Sequence, residues 1–180
     1  MLNKIICSGV GGQGVLTLGM ILAEAAAAQD QYVTWVPSYG SEMRGGAASC
    51  QIKISDEPVG SPYIQEIDVL VAMNEASITQ FGDMVTEDGF IIINSSIIEN
   101  VPDVKNGKII AIPANEIANN NNNPKGAGVS IIGAIIACTG MLPFDGAKQA
   151  IEEYFNNKGI AAGPNVAVFT EGYKYAEGLL

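Results

Sequence analysis

A glycine-rich turn lies near the start of the chain, between an apolar run and an alanine-rich segment. Its sequence is GVGGQG, residues 9–14, and its candidate ligand-binding residues are Gly9, Gly11, Gly12, Gln13 and Gly14. Glycine tolerates positive φ and lets the backbone approach a ligand closely, and the first amides of a following helix can hold a phosphate. Because three of these glycines have the G-x-G-x-x-G spacing, the turn is a candidate cradle for a diphosphate.

Other interpretations of this turn stay open. A nicotinamide dinucleotide site also needs an acidic residue at the tip of the second strand, where this chain has Val36, Pro37 and Ser38. No lysine follows the glycines as it does in a P-loop. The glycines could equally serve only to pack a helix against a strand. The pattern argues against a nicotinamide enzyme and leaves both ligand binding and simple packing available.

The second candidate site is the stretch VPSYGSEMRGG, which contains Arg44, the single arginine of the chain. A guanidinium group is a planar fork that suits bidentate contact with a carboxylate or phosphate. Two glycines beside Arg44 leave space around it, and Ser38 and Tyr39 supply nearby polar groups. We therefore predict that this loop meets an anionic ligand or a partner subunit. The alternative is a structural ion pair with Glu42 or a buried carbonyl group.

The apolar pattern predicts the elements that position these loops. Strands are expected at residues 4–8, 32–36, 47–55, 68–74, 89–94 and 108–114, the second of them ending at Pro37. The glycine turn then lies inside a βαβ opening, whose helix spans residues 15–29. Ser8, Asn74 and Asn94 end three of the strands, at the edge where open α/β sheets bind ligands. The predicted fold is a three-layer α/β domain with a largely parallel or mixed sheet.

The C-terminal half predicts helices and one loop. Residues 115–128, with five consecutive asparagines and a proline, are expected to form a solvated loop. An apolar helix is predicted from Val129 to Met141, as core or as subunit interface. Asp145 is predicted to cap the next helix, and a last helix is expected from about Asn165. No linker or repeat divides the chain, so residues 1–180 are predicted to form a single domain.

Composition excludes several classes of function. The chain has no histidine, which removes the usual proton shuttle and most zinc sites. Its formal net charge of −10 disfavours nucleic acid and acidic membranes. Cys7, Cys50 and Cys138 have no metal-type spacing and are expected to be reduced and buried. No residue is assigned a catalytic or metal-binding role, and without a signal peptide or a membrane-length apolar run a cytoplasmic location is expected.

Four segments, taken together and in this order, resemble the gamma subunit of the 2-oxoacid:ferredoxin oxidoreductases. They are GVGGQGVLTLGMILAEAA, PSYGSEMRGGAASCQIKISDEPVGSP, DVLVAMNEAS and GFIIINSS. The resemblance is strong over about residues 4–100 and looser in the C-terminal helices. The chain looks most like the 2-oxoglutarate synthase or 2-oxoisovalerate type, because its arginine loop lacks the histidine usual in the indolepyruvate type.

The resemblance implies a subunit that is inactive alone. In the family, a 2-oxoacid becomes an acyl-CoA and carbon dioxide on thiamine diphosphate with Mg²⁺, and iron-sulfur clusters pass the electrons to ferredoxin. The alpha and beta subunits hold thiamine diphosphate between them, the clusters lie on subunits other than gamma, and a ferredoxin-like delta subunit is a further candidate partner. The gamma chain would have a structural role and line part of the coenzyme A site, with residues 9–14 as its diphosphate cradle. Independently of the resemblance, self-association of the isolated chain is expected through whichever apolar face is left uncovered without partners. The alternative is a stand-alone nucleotide-binding or redox-sensing module that uses the same turn.

Overall fold

A computed structural model of the chain describes residues 1–40 and 46–180. Ser41, Glu42 and Arg44 lie outside the described residues, so the predicted role of Arg44 stays a prediction. The strands of the described residues are β1 (Leu2–Val10), β2 (Tyr32–Tyr39), β3 (Ala47–Ser55), β4 (Ile67–Ala72), β5 (Val85–Asn94) and β6 (Lys108–Ile112). The helices are α1 (Val15–Ala27), α2 (Glu75–Phe81), α3 (Ala114–Asn120), α4 (Ala127–Thr139), α5 (Phe144–Asn157) and α6 (Ala162–Glu177), with a short 3₁₀ turn at Gly82–Met84.

The strands form one mixed sheet in the order β2-β3-β1-β4-β5-β6. Strand β1 is parallel to β4 and antiparallel to β3, and β4, β5 and β6 continue in parallel. The predicted βαβ opening is present in a split form, because β3 lies between β1 and β2. The prediction of an α/β domain with a mixed sheet is confirmed.

The two faces of the sheet carry separate apolar cores. On one face, alternate residues such as Ile5 and Cys7 pack with α1, α4, α5 and α6. On the other face, Ile6 and Leu70 pack with Ile78 of the short helix α2. The period of two along a strand explains why consecutive residues Ile5 and Ile6 enter different cores. Helices therefore cover both faces, as the three-layer prediction requires.

Strand β2 continues past the expected stop at Pro37 and ends at Tyr39. Pro37 lies opposite Cys50 of β3, and β2 is an edge strand of the sheet. Proline lacks an amide N–H, but an edge strand needs hydrogen bonds on one side only, so proline is tolerated there. The prediction that the strand ends at Pro37 was therefore wrong.

The asparagine-rich segment is only partly a loop. Residues Ala114–Asn120 form helix α3, whose Ile117 and Ala118 are buried against the core, and the loop is confined to residues 121–126. Burial of these two apolar side chains outweighs the weak helix propensity of the asparagines. The prediction of a solvated loop over residues 115–128 was wrong for its helical part.

Three helix boundaries also differ from the expected ones. Helix α5 begins at Phe144 after Pro143, so Asp145 lies in the first turn instead of capping it, a position where its charge still favours the helix dipole. Helix α4 spans Ala127–Thr139 and ends at Gly140, which has a left-handed φ of 61°. Helix α6 begins at Ala162, earlier than Asn165.

Helix α4 belongs to the core of the chain itself. Val129 to Ile136 are all buried, and α4 crosses α6 at a close approach between Gly133 and Gly172. Within residues 1–40 and 46–180, none of the helices is long and apolar enough to cross a membrane.

Candidate functional site

A cavity of about 650 Å³ opens at the carboxyl edge of the parallel strands. The segments that follow β1, β4, β5 and β6 all contribute to its wall, through Gly12–Gly14, Met73, Ile97 and Asn115 respectively. The remaining lining residues are Thr17, Leu18, Ile21, Asn123, Pro124, Lys125, Ala127, Gly128, Val129, Phe155, Ile160 and Asn165. Its size suits a small-molecule ligand, and ligands of open α/β sheets occupy this edge.

The glycine turn forms one part of the wall and needs glycine for its shape. Gly12 and Gly14 have φ values of 96° and 73°, which L side chains rarely adopt. Gly14 is the N-cap of α1, and no side chain of residues 1–40 or 46–180 caps this helix. A Cβ atom at either position would meet no atom of the described residues within 4 Å. The turn therefore exposes the uncapped first amides of a 13-residue helix beside open space.

Gln13 holds the turn in place. Its Oε1 accepts a hydrogen bond from the Val10 N–H at 2.8 Å, and its Nε2 donates to the Met73 carbonyl at 2.9 Å. The side chain thus joins the end of β1 to the end of β4 across the cavity wall. Gln13, predicted as a binding residue, has its side-chain amide engaged within the chain and acts as a support for the turn.

Gly9 and Gly11 do not line the cavity. Gly9 lies in β1, where an added Cβ would come within 2.9 Å of the Met73 side chain and 2.8 Å of Val15. The N–H of Gly11 donates to the carbonyl of Gly46 at 2.9 Å, which extends the pairing of β1 with β3. The motif therefore has two parts: Gly9 permits close packing of α1, and residues 12–14 face the cavity.

The start of helix α4 forms a second part of the wall. Ala127, Gly128 and Val129 are its first three residues, and neither a capping side chain nor an acidic residue occupies its first turn. Gly128 packs against Leu18 of α1, with 3.4 Å between the position of its would-be Cβ and the Leu18 Cβ. The N-termini of two long helices therefore adjoin one cavity, and their partial positive charges add there.

The polar residues at the strand ends serve the fold. The hydroxyl oxygens of Ser8 and Ser77 are 2.9 Å apart, and Asn74 Oδ1 accepts from the Ser77 N–H at 2.8 Å, which caps α2. Asn94 is fully buried, and its side chain bonds to Asn115 and to backbone amides. Ser8, Asn74 and Asn94 are not among the described residues that line the cavity, and each has a side-chain oxygen hydrogen-bonded within the chain.

The arginine loop adjoins the glycine turn at Gly46, whose carbonyl accepts the hydrogen bond from the Gly11 N–H, whereas the candidate residues Ser38 and Tyr39 lie farther from the turn. Tyr39 lies opposite Ala48, which lies opposite Gly9, so two strand spacings, roughly 10 Å, separate Tyr39 from β1. Ser38 and Tyr39 are exposed, Tyr39 at 75%, and neither lines the cavity. Their predicted contact with an anion or a subunit stays a prediction, like that of Arg44.

A pair of buried thiols lies beneath the turn. Cys7 of β1 and Cys50 of β3 are direct cross-strand partners, and both are fully buried and free. The hydrogen bond between the two thiols, together with burial, raises the pKa of the Cys7 thiol well above its usual value. Cys138 is half-buried, and partial desolvation raises its pKa to about 11. In the described part of the chain, no group of three potential metal ligands comes together.

Sequence reasoning missed the wall formed by Asn123, Lys125 and Asn165. A signal was present: a lysine between proline and glycine comes directly before an apolar helix, whose N-terminus can bind an anion. The run of asparagines concealed it, because such a composition is typical of solvated loops.

Fold and cavity together define an α/β domain that presents a glycine turn and two helix N-termini at the carboxyl edge of a mixed sheet. The chain belongs to the pyruvate ferredoxin/flavodoxin oxidoreductase family, whose profile matches residues 4–175.

Several relatives match nearly the whole chain. Ketoisovalerate oxidoreductase subunit VorA of Methanothermobacter thermautotrophicus is 35% identical over 96% of this chain, which spans only 36% of that protein's length. 2-Oxoglutarate synthase subunit KorC of Methanocaldococcus jannaschii is 31% identical, and the match covers 99% of this chain and 96% of KorC. The crystal structure of a keto/oxoacid ferredoxin oxidoreductase gamma subunit from Geobacter sulfurreducens superposes with a TM-score of 0.82 at 27% identity. That match covers 98% of this chain and 99% of the Geobacter one.

Proposed function

We propose that the chain is the gamma subunit of a multi-subunit 2-oxoacid:ferredoxin oxidoreductase. The carrying observation is its similarity, over almost the full length of both chains, to KorC of Methanocaldococcus and to the Geobacter gamma subunit. The complex would convert a 2-oxoacid and coenzyme A to an acyl-CoA and carbon dioxide, with reduction of ferredoxin. 2-Oxoglutarate is the favoured substrate, and a branched-chain 2-oxoacid is the alternative, since relatives of both names match.

The proposed complex includes alpha and beta subunits, with a ferredoxin-like delta subunit as a further candidate. Thiamine diphosphate with Mg²⁺ and the iron-sulfur clusters would be bound by these other subunits. The complex would be located in the cytoplasm. Thiamine diphosphate supplies the decarboxylation chemistry when bound. The gamma chain would contribute binding and orientation of coenzyme A.

The cavity supports a coenzyme A site at the glycine turn. Uncapped amides at the starts of α1 and α4 attract a diphosphate, and Gly14 leaves open space where any larger residue would place a Cβ. None of the residues described as lining the cavity carries a carboxylate that would repel a phosphate. The residues present therefore fit an anionic ligand of this kind.

The subunit assignment is tested by purification and activity. Tagged chain, expressed in its native cell, is expected to bring down alpha and beta subunits, and the recovered complex should reduce viologen with 2-oxoglutarate or a branched-chain 2-oxoacid plus coenzyme A. The chain alone should be inactive. Recovery without these partners, together with nucleotide binding by the free chain, would instead support a stand-alone nucleotide-binding module.

The cradle is tested by a pair of glycine variants in the assembled complex. Gly14→Ala places a methyl group in the open space where the diphosphate would lie, so the KM for coenzyme A should rise about tenfold or more while the KM for the 2-oxoacid stays unchanged. Gly140→Ala is the matched control, because Gly140 has a similar left-handed conformation, φ 61° and ψ 16°, at the far end of α4, with equally open surroundings. Both variants should lose similar stability, about 1–2 kcal/mol. Equal KM values for coenzyme A in the two variants would contradict the cradle.

A further inference from the structure

We propose that Lys125 recognises the 3′-phosphate of coenzyme A and so determines the specificity of the cavity for the phosphorylated ligand. The inference rests on the proposed function and adds to it a residue outside the glycine turn. Coenzyme A carries two anionic groups, a diphosphate and a separate 3′-phosphate monoester. The glycine turn would bind the diphosphate, which leaves the 3′-phosphate to another part of the cavity wall.

The charge of the cavity wall is the first observation. The chain has nineteen acidic residues and nine basic ones, so a random stretch of its surface carries mostly carboxylates. Among the described residues that line the cavity, the single ionisable side chain is nevertheless a lysine, Lys125. A wall that excludes the commoner charge and presents the rarer one favours an anion. A phosphate monoester carries nearly two charges at neutral pH and gains the most from such a cation.

The second observation is that the loop of Lys125 is held firmly. Asn123 Nδ2 donates to Asn165 Oδ1 at 2.7 Å, and Asn165, only 5% exposed, donates in turn to the Ala161 carbonyl at 3.1 Å. The Asn123 N–H bonds to Ala118 O at 2.9 Å, and its carbonyl accepts from the Gly126 N–H at 2.8 Å. These bonds tie Asn123 to α3 and α6, and they tie Gly126, the residue after the lysine, back to Asn123.

Pro124 adds its fixed φ to this arrangement directly before Lys125. The backbone of Lys125 is therefore ordered before any ligand arrives, and binding orders only the lysine side chain. Preorganisation of this kind lowers the entropy lost on binding.

The third observation is that Lys125 has no role within the described protein. Lys4 and Lys105 form ion pairs, Lys53 bonds to the Ser61 carbonyl, and Lys158 lies over the Tyr154 ring. Lys125 is exposed, and its side chain forms no ion pair or hydrogen bond with residues 1–40 and 46–180. The side chains of Lys148 and Lys174 also form none with these residues, but of these three lysines Lys125 is the one that lines the cavity. Its ammonium group is free to meet a ligand beside the N-terminus of α4, where the helix dipole attracts the same anion.

The test compares coenzyme A with 3′-dephospho-coenzyme A in the assembled complex. Wild-type complex should bind coenzyme A about tenfold more tightly than the dephospho form, as expected for one charge-assisted contact. Lys125→Gln should weaken the binding of coenzyme A by that factor and leave the affinity for the dephospho form unchanged, so that the preference for coenzyme A disappears. Lys125→Arg should keep most of the preference, because the charge remains.

Lys174→Gln is the matched control, since it removes the same charge from an exposed position in α6 outside the cavity. It should leave both affinities unchanged. Equal weakening of both ligands by Lys125→Gln would assign Lys125 to the diphosphate and overturn the inference, as would no effect on either. If neither Gly14→Ala nor Lys125→Gln changes the affinity of the complex for coenzyme A, the proposed coenzyme A site itself is refuted.

Discussion

Removal of the Gln13 hydrogen bonds is the sharpest test of how the glycine turn is held. Gln13→Met keeps a side chain of similar length but has neither the acceptor for the Val10 N–H nor the donor for the Met73 carbonyl. Each partly buried hydrogen bond contributes about 1 kcal/mol, so the loss is about 2 kcal/mol. For a chain of 180 residues this corresponds to a fall in Tm of roughly 4–8 °C.

The assay is urea denaturation of the isolated chain followed by circular dichroism, with calorimetry for Tm. The control is Gln149→Met, because Gln149 is exposed on α5 and donates an exposed hydrogen bond to Glu153. The control should stay within about 0.5 kcal/mol of wild type. A Gln13→Met variant as stable as the control would refute the idea that this side chain joins β1 to β4.

Gln13→Glu adds a pH signature to the same test. The carboxylate still accepts from Val10 N–H, but at neutral pH it faces the Met73 carbonyl without a proton to donate. Its pKa should rise in the folded state, because the protonated form can make both bonds. A raised folded pKa means that the stability relative to wild type is greatest at low pH and is lost as pH rises through that pKa. A stability difference that does not change between pH 4.5 and 7 would contradict this geometry.

Two further predictions concern packing and thiol chemistry. Gly172→Ala should destabilise the chain by about 3 kcal/mol, because the new Cβ would lie 2.6 Å from the Ser130 Cα at the crossing of α4 and α6. Gly163→Ala lies in the same helix but has open space around its new Cβ, so its stability should be close to that of wild type. Equal denaturation midpoints for the two variants would contradict the close crossing. Iodoacetamide should alkylate Cys138 slowly at pH 8, because the pKa of this thiol is raised to about 11. The alkylation rate, measured by mass spectrometry, should rise about tenfold per pH unit up to pH 9.5. A rate that reaches a plateau near pH 8.5 would contradict the raised pKa.

Much of the local structure could be predicted because it depends on short-range pattern. The bounds of β3 follow from the alternation in AASCQIKIS, and the apolar runs of β4 and β5 are typical of strands covered on both faces. The pairing of β3 between β1 and β2 could not be predicted. It depends on contacts between residues about 45 positions apart, such as Cys7 and Cys50, which no local pattern records.

The candidate site was predicted only in part for the same reason. Glycines at positions 12 and 14 indicate a tight turn before a helix wherever the helix lies. Lys125 belongs to the site because α4 packs on α1, which brings a loop more than a hundred residues away to the glycine turn. The asparagines beside it looked like solvated residues and proved to be hydrogen-bonded to α3 and α6.

The sequence by itself determined the α/β class, the glycine turn and the family, because these depend on residue types at fixed local spacing. Only the tertiary structure decided which part of the motif faces the cavity. It divided the turn between Gly9, which allows close packing, and residues 12–14, which line the cavity, and it left Ser38 and Tyr39 apart from them. The physical reason is that a cavity wall is assembled by packing between distant elements, and a linear pattern contains no information on which of its residues that packing will bury.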